Sequence, residues 1–256
     1  SMSIGAKERG RLAILAAILL LGFGLRLLRL DGGSLWYDET VSVYLASLSP
    51  TAMVAHTAGD IHPPGYYLLL HGWRQLAGTS DFAARFFSLF FGLLLVALAY
   101  RLGRAVFGAE AGLLAALVTA VSPFHLWYSQ EVRMYSLAAV LGMALLWLVA
   151  RWLSAGRDRL PPWTELALYA MGAALGLWAL YYFAFLLVTL NVMVAVWWLG
   201  AGRPNRAAGR WLGRWALAQG AAVVLFSPWL PIAWRQVTQP PVPPWRSFTG
   251  LGDLLL

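Results

Sequence analysis

The sequence predicts an all-α, polytopic membrane protein of about seven transmembrane helices, and three observations carry that expectation. The 256-residue chain is 60% hydrophobic and only 12% charged, with a mean hydropathy of +0.66. Several apolar runs approach the roughly 20 residues a helix needs to cross a bilayer. The 19 Lys and Arg residues, against 11 Asp and Glu, fall between those runs. A soluble domain of this length carries far more polar surface. A net charge of +8 distributed in this way bears on topology and not on nucleic acid. With no cysteine, disulfides and thiolate metal sites are excluded.

The first run, Leu12 to Leu30, follows Lys7, Arg9 and Arg11, which places residues 1–11 in the cytoplasm. The second is Ala83 to Arg101, closing on Arg101 and Arg104; the third is Ala111 to Phe124; the fourth is Tyr135 to Trp152, beside Arg151, Arg157 and Arg159. Leu166 to Leu199 carries no charge. As one helix it would reach about 50 Å at 1.5 Å per residue, against a core of roughly 30 Å, so two spans joined near Tyr181-Tyr182 fit better. Arg203, Arg206, Arg210 and Arg214 follow, and the last run, Trp215 to Trp234, is broken by Pro228 and Pro231. With the N-terminus inside, every basic cluster falls inside. Counting Pro64 to Ala77 as a span, or 166–199 as one helix, would put a cluster outside. The transmembrane module therefore covers 12–235, with outer segments at 31–82, at 122–131 and at the Tyr181-Tyr182 turn. A Pro-rich outer tail at 236–256 reads as the start of further C-terminal chain. The inner loops are too short for a nucleotide-binding domain and hold no Gly-rich phosphate loop.

The reactive side chains concentrate in the outer segments. The first holds Asp31, Asp38, Glu39, His56, Asp60, His62 and His71. Thr40–Ser47 and Pro64–Trp73 have the pattern of two short interfacial helices, with Pro64 suited to a first turn and Trp36, Tyr37, Tyr66, Tyr67 and Trp73 to the headgroup region. Carboxylates as close to hydrocarbon as Asp38-Glu39 need a partner or a task. The task is general-base catalysis or cation binding; the bland alternative is capping the helix at Thr40. In Gly59-Asp60-Ile61-His62-Pro63-Pro64 the prolines keep the preceding residues extended, so Asp60 and His62 point the same way. Such a pair suits a metal, a phosphate or the orientation of a base, or else is a Pro-terminated loop with a capping aspartate.

A third set, Trp127-Tyr128-Ser129-Gln130-Glu131-Val132-Arg133-Met134-Tyr135, opens the fourth span. Glu131 and Arg133 are two apart and do not share a helical face. Arg133 suits a phosphate. Glu131 suits an arginine of the first outer segment or a cation, and an ordinary interfacial helix start is the alternative. Asp38, Asp60 and His62 are the candidate ligands should a divalent metal ion take part. His56, His71 and His125 fit isolated interfacial hydrogen bonds, Arg26 and Arg29 fit snorkelling to headgroups, and Asn191 and Gln219 fit helix–helix hydrogen bonds.

Taken in order, Asp38-Glu39, Asp60-x-His62-Pro63-Pro64 and Ser129-Gln130-Glu131-x-Arg133-Met134-Tyr135 resemble the GT-C class of membrane glycosyltransferases, in particular its protein O-mannosyltransferase and lipid A aminoarabinose transferase branch. The resemblance implies inverting transfer of a sugar from a polyprenyl-phosphate carrier to a protein, lipid or glycan acceptor at the outer face of a prokaryotic plasma membrane. It makes Asp38 the acceptor-side base and Glu39 its support. It puts His62, with Asp60, at the donor phosphate or a metal, and Glu131 and Arg133 on the phosphate side. His62 stands where the aminoarabinose branch has a lysine, which is the mannosyltransferase pattern. Members of the class usually continue well beyond a seventh span. Two other classes compete. A transporter or lipid flippase places ionisable groups at mid-membrane in repeated halves, and the sequence shows no internal repeat and no mid-span acid. A non-catalytic scaffold would leave Asp38, Asp60, His62, Glu131 and Arg133 scattered.

Overall fold

A computed structural model of the chain describes residues 2–28, 30–200 and 206–241, and every regular element in them is helical. In chain order these are α1 (Met2–Leu27), α2 (Tyr37–Ser47), α3 (Pro50–Ala58), α4 (Gly65–Ala77), α5 (Asp81–Phe107), α6 (Ala109–Val121), α7 (Pro123–Gln130), α8 (Tyr135–Ser154), α9 (Trp163–Ala179), α10 (Phe183–Gly200), α11 (Arg206–Phe226) and α12 (Leu230–Thr238). Four of them, α1, α5, α8 and α10, are individually long and apolar enough to cross a membrane. The bent pairs α6–α7 (57°) and α11–α12 (79°) raise the number to six among the described residues. The expected seventh is α9, 17 residues long and so about 26 Å. The break between α9 and α10 falls at residues 180–182, at the Tyr181-Tyr182 turn, and divides the long apolar run. Helix α4, with 13 residues, is too short to span.

Local signals explain the boundaries. Ser80 caps α5 by accepting from the Ala83 N–H at 3.1 Å. Ser49 caps α3 with Pro50 in its first turn. Gly108, at φ +97°, turns the chain between α5 and α6 in a conformation a side chain would strain. Those two helices then pack backbone to backbone: a Cβ on Gly112 would lie 2.7 Å from the Tyr100 carbonyl oxygen. Helix α5 is the hub, packing on α1, α4, α6, α7 and α8, while α9 packs on α8 and α11. One apolar core joins α8–α11 around Tyr169, Trp211 and Trp215. A second lies under α2 and α4 around Leu45, Met53, Tyr66 and Leu70. Trp215 donates to Asn191 at 3.0 Å and Gln219 to Tyr169 at 2.9 Å, the interhelical bonds expected of Asn191 and Gln219.

Arginines and aromatics gather at the end of the bundle where α5 and α8 finish. Arg101 and Arg151 both lie over the Trp147 ring, at 4.8 and 5.0 Å. Arg157 lies over Trp198 at 4.7 Å and Arg214 over Trp163 at 4.4 Å. Glu8–Arg104 and Arg11–Glu110 pairs tie α1 to α5 and α6. Arg203, expected in this group, lies outside the described residues.

Several sequence expectations are corrected. The segment 122–131 is not a loop, because Pro123 starts helix α7. The first outer segment holds three short helices instead of two, α3 being the addition. The run Trp215–Trp234 is broken at its prolines as expected, and the break is a 79° bend between α11, which ends at Phe226, and α12, whose Gln236 is buried. Residues 236–238 thus belong to the folded body, while 242–256 lie outside the described residues. Arg26 does not snorkel. Its side chain is fully buried and donates to the carbonyls of Gly22 and Ala120 at 3.0 Å each, to that of Thr119 at 3.3 Å, and to Ser129 Oγ at 3.1 Å. It thereby satisfies carbonyls that the end of α6 leaves open. Arg29 lies outside the described residues.

Candidate active site

The site forms at the other end of the bundle, where α2, the start of α5 and residues 131–135 meet. Its centre is an ion pair that sequence reasoning missed. Glu39, in the first turn of α2, is 2% exposed. Both of its oxygens accept from Arg85 of α5, at 3.0 and 2.9 Å. Glu39 also accepts from the backbone N–H of Val132 at 3.1 Å and of Trp36 at 3.3 Å. Arg85 donates further to the carbonyls of Leu30, Gly33 and Ser34 at 2.9–3.2 Å. One buried pair therefore joins the end of the first span, the start of α2, the hub helix and the 131–135 segment. Among the described residues no arginine of the first outer segment pairs with Glu131, which accepts from Trp127 instead; the fully hydrogen-bonded arginine–carboxylate pair of this site is Arg85 with Glu39.

This anchoring decides where the neighbour of Glu39 points. Asp38 stays partly exposed, at 38%, and faces Arg133, which is 7% exposed, at 3.9 Å. That separation is longer than a hydrogen bond, so charge attraction holds the pair across a gap. The Arg133 guanidinium lies over the Tyr135 ring at 5.7 Å, and its buried Nε has no hydrogen-bond partner among the described residues. Glu131 accepts from Trp127 Nε1 at 2.6 Å. Burial pushes the Glu131 carboxyl up from the usual range; the Trp127 bond opposes this, and the negative charges of Glu39 and Asp38 add to it.

Asp60 and His62 do point the same way, with Asp60 Oδ2 and His62 Nδ1 3.4 Å apart. The bond to His62 holds Asp60 below the usual carboxylate range. Tyr67 of α4 links the two halves. Burial raises its hydroxyl to about 12, and it feels Arg133, Asp60 and Asp38. The candidate residues fall into two pairs, Asp38 with Arg133 and Asp60 with His62, and both act on the Tyr67 hydroxyl. Among the described residues no three His, Cys, Asp or Glu side chains form a metal-holding group. Asp38, Asp60 and His62 do not assemble into the ligand set considered from sequence, because Asp38 faces Arg133 while Asp60 pairs with His62. His71 bonds the Ala46 carbonyl at 2.9 Å, tying α4 to α2.

Three cavities follow one another along α7. The first, about 340 Å³, is walled by Trp36, Glu39, Arg85, Trp127 and Glu131 among others. The second, about 490 Å³, shares Trp36, Trp127 and Glu131 with it and adds Tyr128 and Tyr135. The third, about 180 Å³, shares Tyr128 and Tyr135 and runs to Phe124 and Leu95 between α5, α7 and α8. Phe124 and Trp127 are each 65% exposed on this side.

The fold is that of a polytopic, all-α membrane protein, and the family match makes its class a glycosyltransferase of the GT-C type. The model of the dolichyl-phosphate-mannose-protein mannosyltransferase family matches residues 61–232, two thirds of the chain, and the chain belongs to that family. No curated protein matches it. The matched segment contains His62, Arg85, Glu131 and Arg133; Asp38, Glu39 and Asp60 precede it.

Proposed function

We propose that the protein transfers a sugar from a polyprenyl-phosphate carrier to an acceptor hydroxyl at the non-cytoplasmic membrane face, with inversion at the sugar carbon. The observation that carries this is the half-exposed Asp38 carboxylate held against the buried Arg133 across a 3.9 Å gap. Asp38 accepts the acceptor's proton as its oxygen attacks the anomeric carbon. The carbon–oxygen bond to the carrier phosphate breaks, and the phosphate leaves with the electron pair. A single displacement of this kind needs one base and a stabilised leaving group. Arg133, fixed by burial and facing Asp38, meets the phosphate charge, and His62, held by Asp60, approaches it from the α3–α4 side. Glu39 and Arg85 aim Asp38. The cavities along α7 suit the carrier, their aromatic walls leading from the carboxylates to an exposed apolar flank. The arginine-rich end opposite the site supports a non-cytoplasmic site by the positive-inside rule.

The test is transfer of radiolabelled sugar from a polyprenyl-phosphate donor by the purified full chain. Asp38→Asn should lower the rate by about 10²- to 10⁴-fold, the usual contribution of a positioned base, with the melting temperature unchanged. Undiminished transfer by that variant overturns the assignment of Asp38. Transfer from a nucleotide sugar but not from the lipid carrier overturns the donor class.

A further inference from the structure

The proposed mechanism makes no use of α12, yet α12 is built into the segment that carries Asp60 and His62. Gln236 is 4% exposed, and its amide bridges two other elements. Its Nε2 donates to the carbonyls of Thr57 at 2.7 Å and Ala58 at 3.4 Å, and its Oε1 accepts from the Tyr181 hydroxyl. Arg235 donates to the same Ala58 carbonyl at 2.9 Å. Trp229 Nε1 donates to the Tyr181 hydroxyl oxygen at 2.7 Å. Thr57 and Ala58 form the last turn of α3; the Thr57 carbonyl also accepts from the Asp60 N–H at 3.1 Å, so Gln236 and Asp60 share one acceptor. A residue 179 positions away in the chain thus completes the end of α3, three residues before Asp60.

The other end of the same stretch is pinned as well. Gly65, which opens α4 directly after Pro63-Pro64, lies against the Trp178 backbone; a Cβ there would come 2.5 Å from the Trp178 carbonyl oxygen. Trp178 packs on Trp229 at a ring distance of 5.6 Å. Residues 59–64 are therefore a short bridge whose two ends rest on one layer made of Trp178, Tyr181 and α12. The bridge contains two prolines, which removes most of its remaining freedom. Burial, and secondarily the Asp60 charge, raise the Tyr181 hydroxyl, which keeps it a donor to Gln236.

We propose that Gln236 and Tyr181 are positioning residues of the active site: by closing the end of α3 they set where His62 stands toward the donor phosphate. The inference rests on the His62 role given above. It assigns the 181 turn and α12 a part in the reaction that neither element's sequence announces.

A double-mutant cycle on the full chain tests it, with kcat and KM for the polyprenyl-phosphate donor measured for Gln236→Leu, His62→Ala and the pair, and folding followed by thermal melting. Gln236→Leu should lower kcat/KM about tenfold in the native background and less than about twofold when His62 is already alanine, because residues acting through a common partner are non-additive. An equal loss in both backgrounds overturns the inference and leaves Gln236 a stability residue. His62→Ala with full activity would instead sink the His62 role itself, and the inference with it. Should Gln236→Leu fail to fold, Tyr181→Phe removes a single hydroxyl and is held to the same criterion of background dependence.

Discussion

Replacing Arg85 by methionine isolates the pair on which the site is built. Methionine keeps the volume and flexibility of the arginine stem but removes two hydrogen bonds to Glu39 and three to the carbonyls of residues 30–34. Glu39 retains the Val132 and Trp36 N–H groups but loses its counter-charge at 2% exposure. Breaking a buried pair from one side costs about 3–5 kcal/mol. The adjoining cavity, walled by both residues, lets water reach Glu39 and places the expected loss near 3 kcal/mol. Adding Glu39→Leu removes the stranded charge, and apolar replacement of a whole buried pair is often close to neutral. The double variant should therefore recover at least about 2 kcal/mol relative to the sum of the singles. Denaturant unfolding in detergent, followed by tryptophan fluorescence, reads the four corners of the cycle. Sugar transfer should stay low in the double variant despite its recovered stability, since Asp38 has lost its anchor. A loss below about 1 kcal/mol for Arg85→Met, or additivity of the two changes, refutes the reasoning.

Two further outcomes are expected. For Glu131 the folded carboxyl titrates above its unfolded value of about 4.3, so its ionisation opposes folding as pH rises from that value through the raised folded one. Glu131→Gln should therefore gain melting temperature over wild type at pH 7.5 relative to pH 4, and an unchanged difference between the two pH values contradicts the burial argument. Gly92→Ala should destabilise the protein by about 1–3 kcal/mol, because a Cβ there overlaps Ser129 and presses on Arg26 Nε at 3.1 Å; a melting temperature equal to wild type would contradict the packing.

The apolar helices were legible because length fixes them locally: the split at Tyr181-Tyr182 follows from what one helix can span. The segment 122–131 is helical although it joins two apolar runs, because a proline just inside a helix start is itself a helix signal. The same signal stood at Ser49-Pro50, ahead of α3. The motif residues stand out by type and order, and the resemblance assigns Asp38 and Glu39 different parts, but the contact that separates them is not local. Nothing local in Asp38-Glu39 tells which carboxylate turns inward; Arg85, 46 residues on, decides it. Arg85 was itself readable as an ionisable group inside an apolar run, which calls for a partner. Gln236 gave no such cue, since its contact with Thr57 depends on the 79° bend between α11 and α12.

Arg26 also bears on how the chain is assembled. Its acceptors at Thr119, Ala120 and Ser129 lie 93 to 103 residues downstream. While the first helix enters the bilayer these groups have not been synthesised, and a solitary guanidinium near the end of a span finds water and headgroups instead. The charge can withdraw into the bundle only after α6 and α7 arrive. The first helix is therefore inserted early and seated late, and burial of Arg26 marks the moment at which α1, α6 and α7 become one unit.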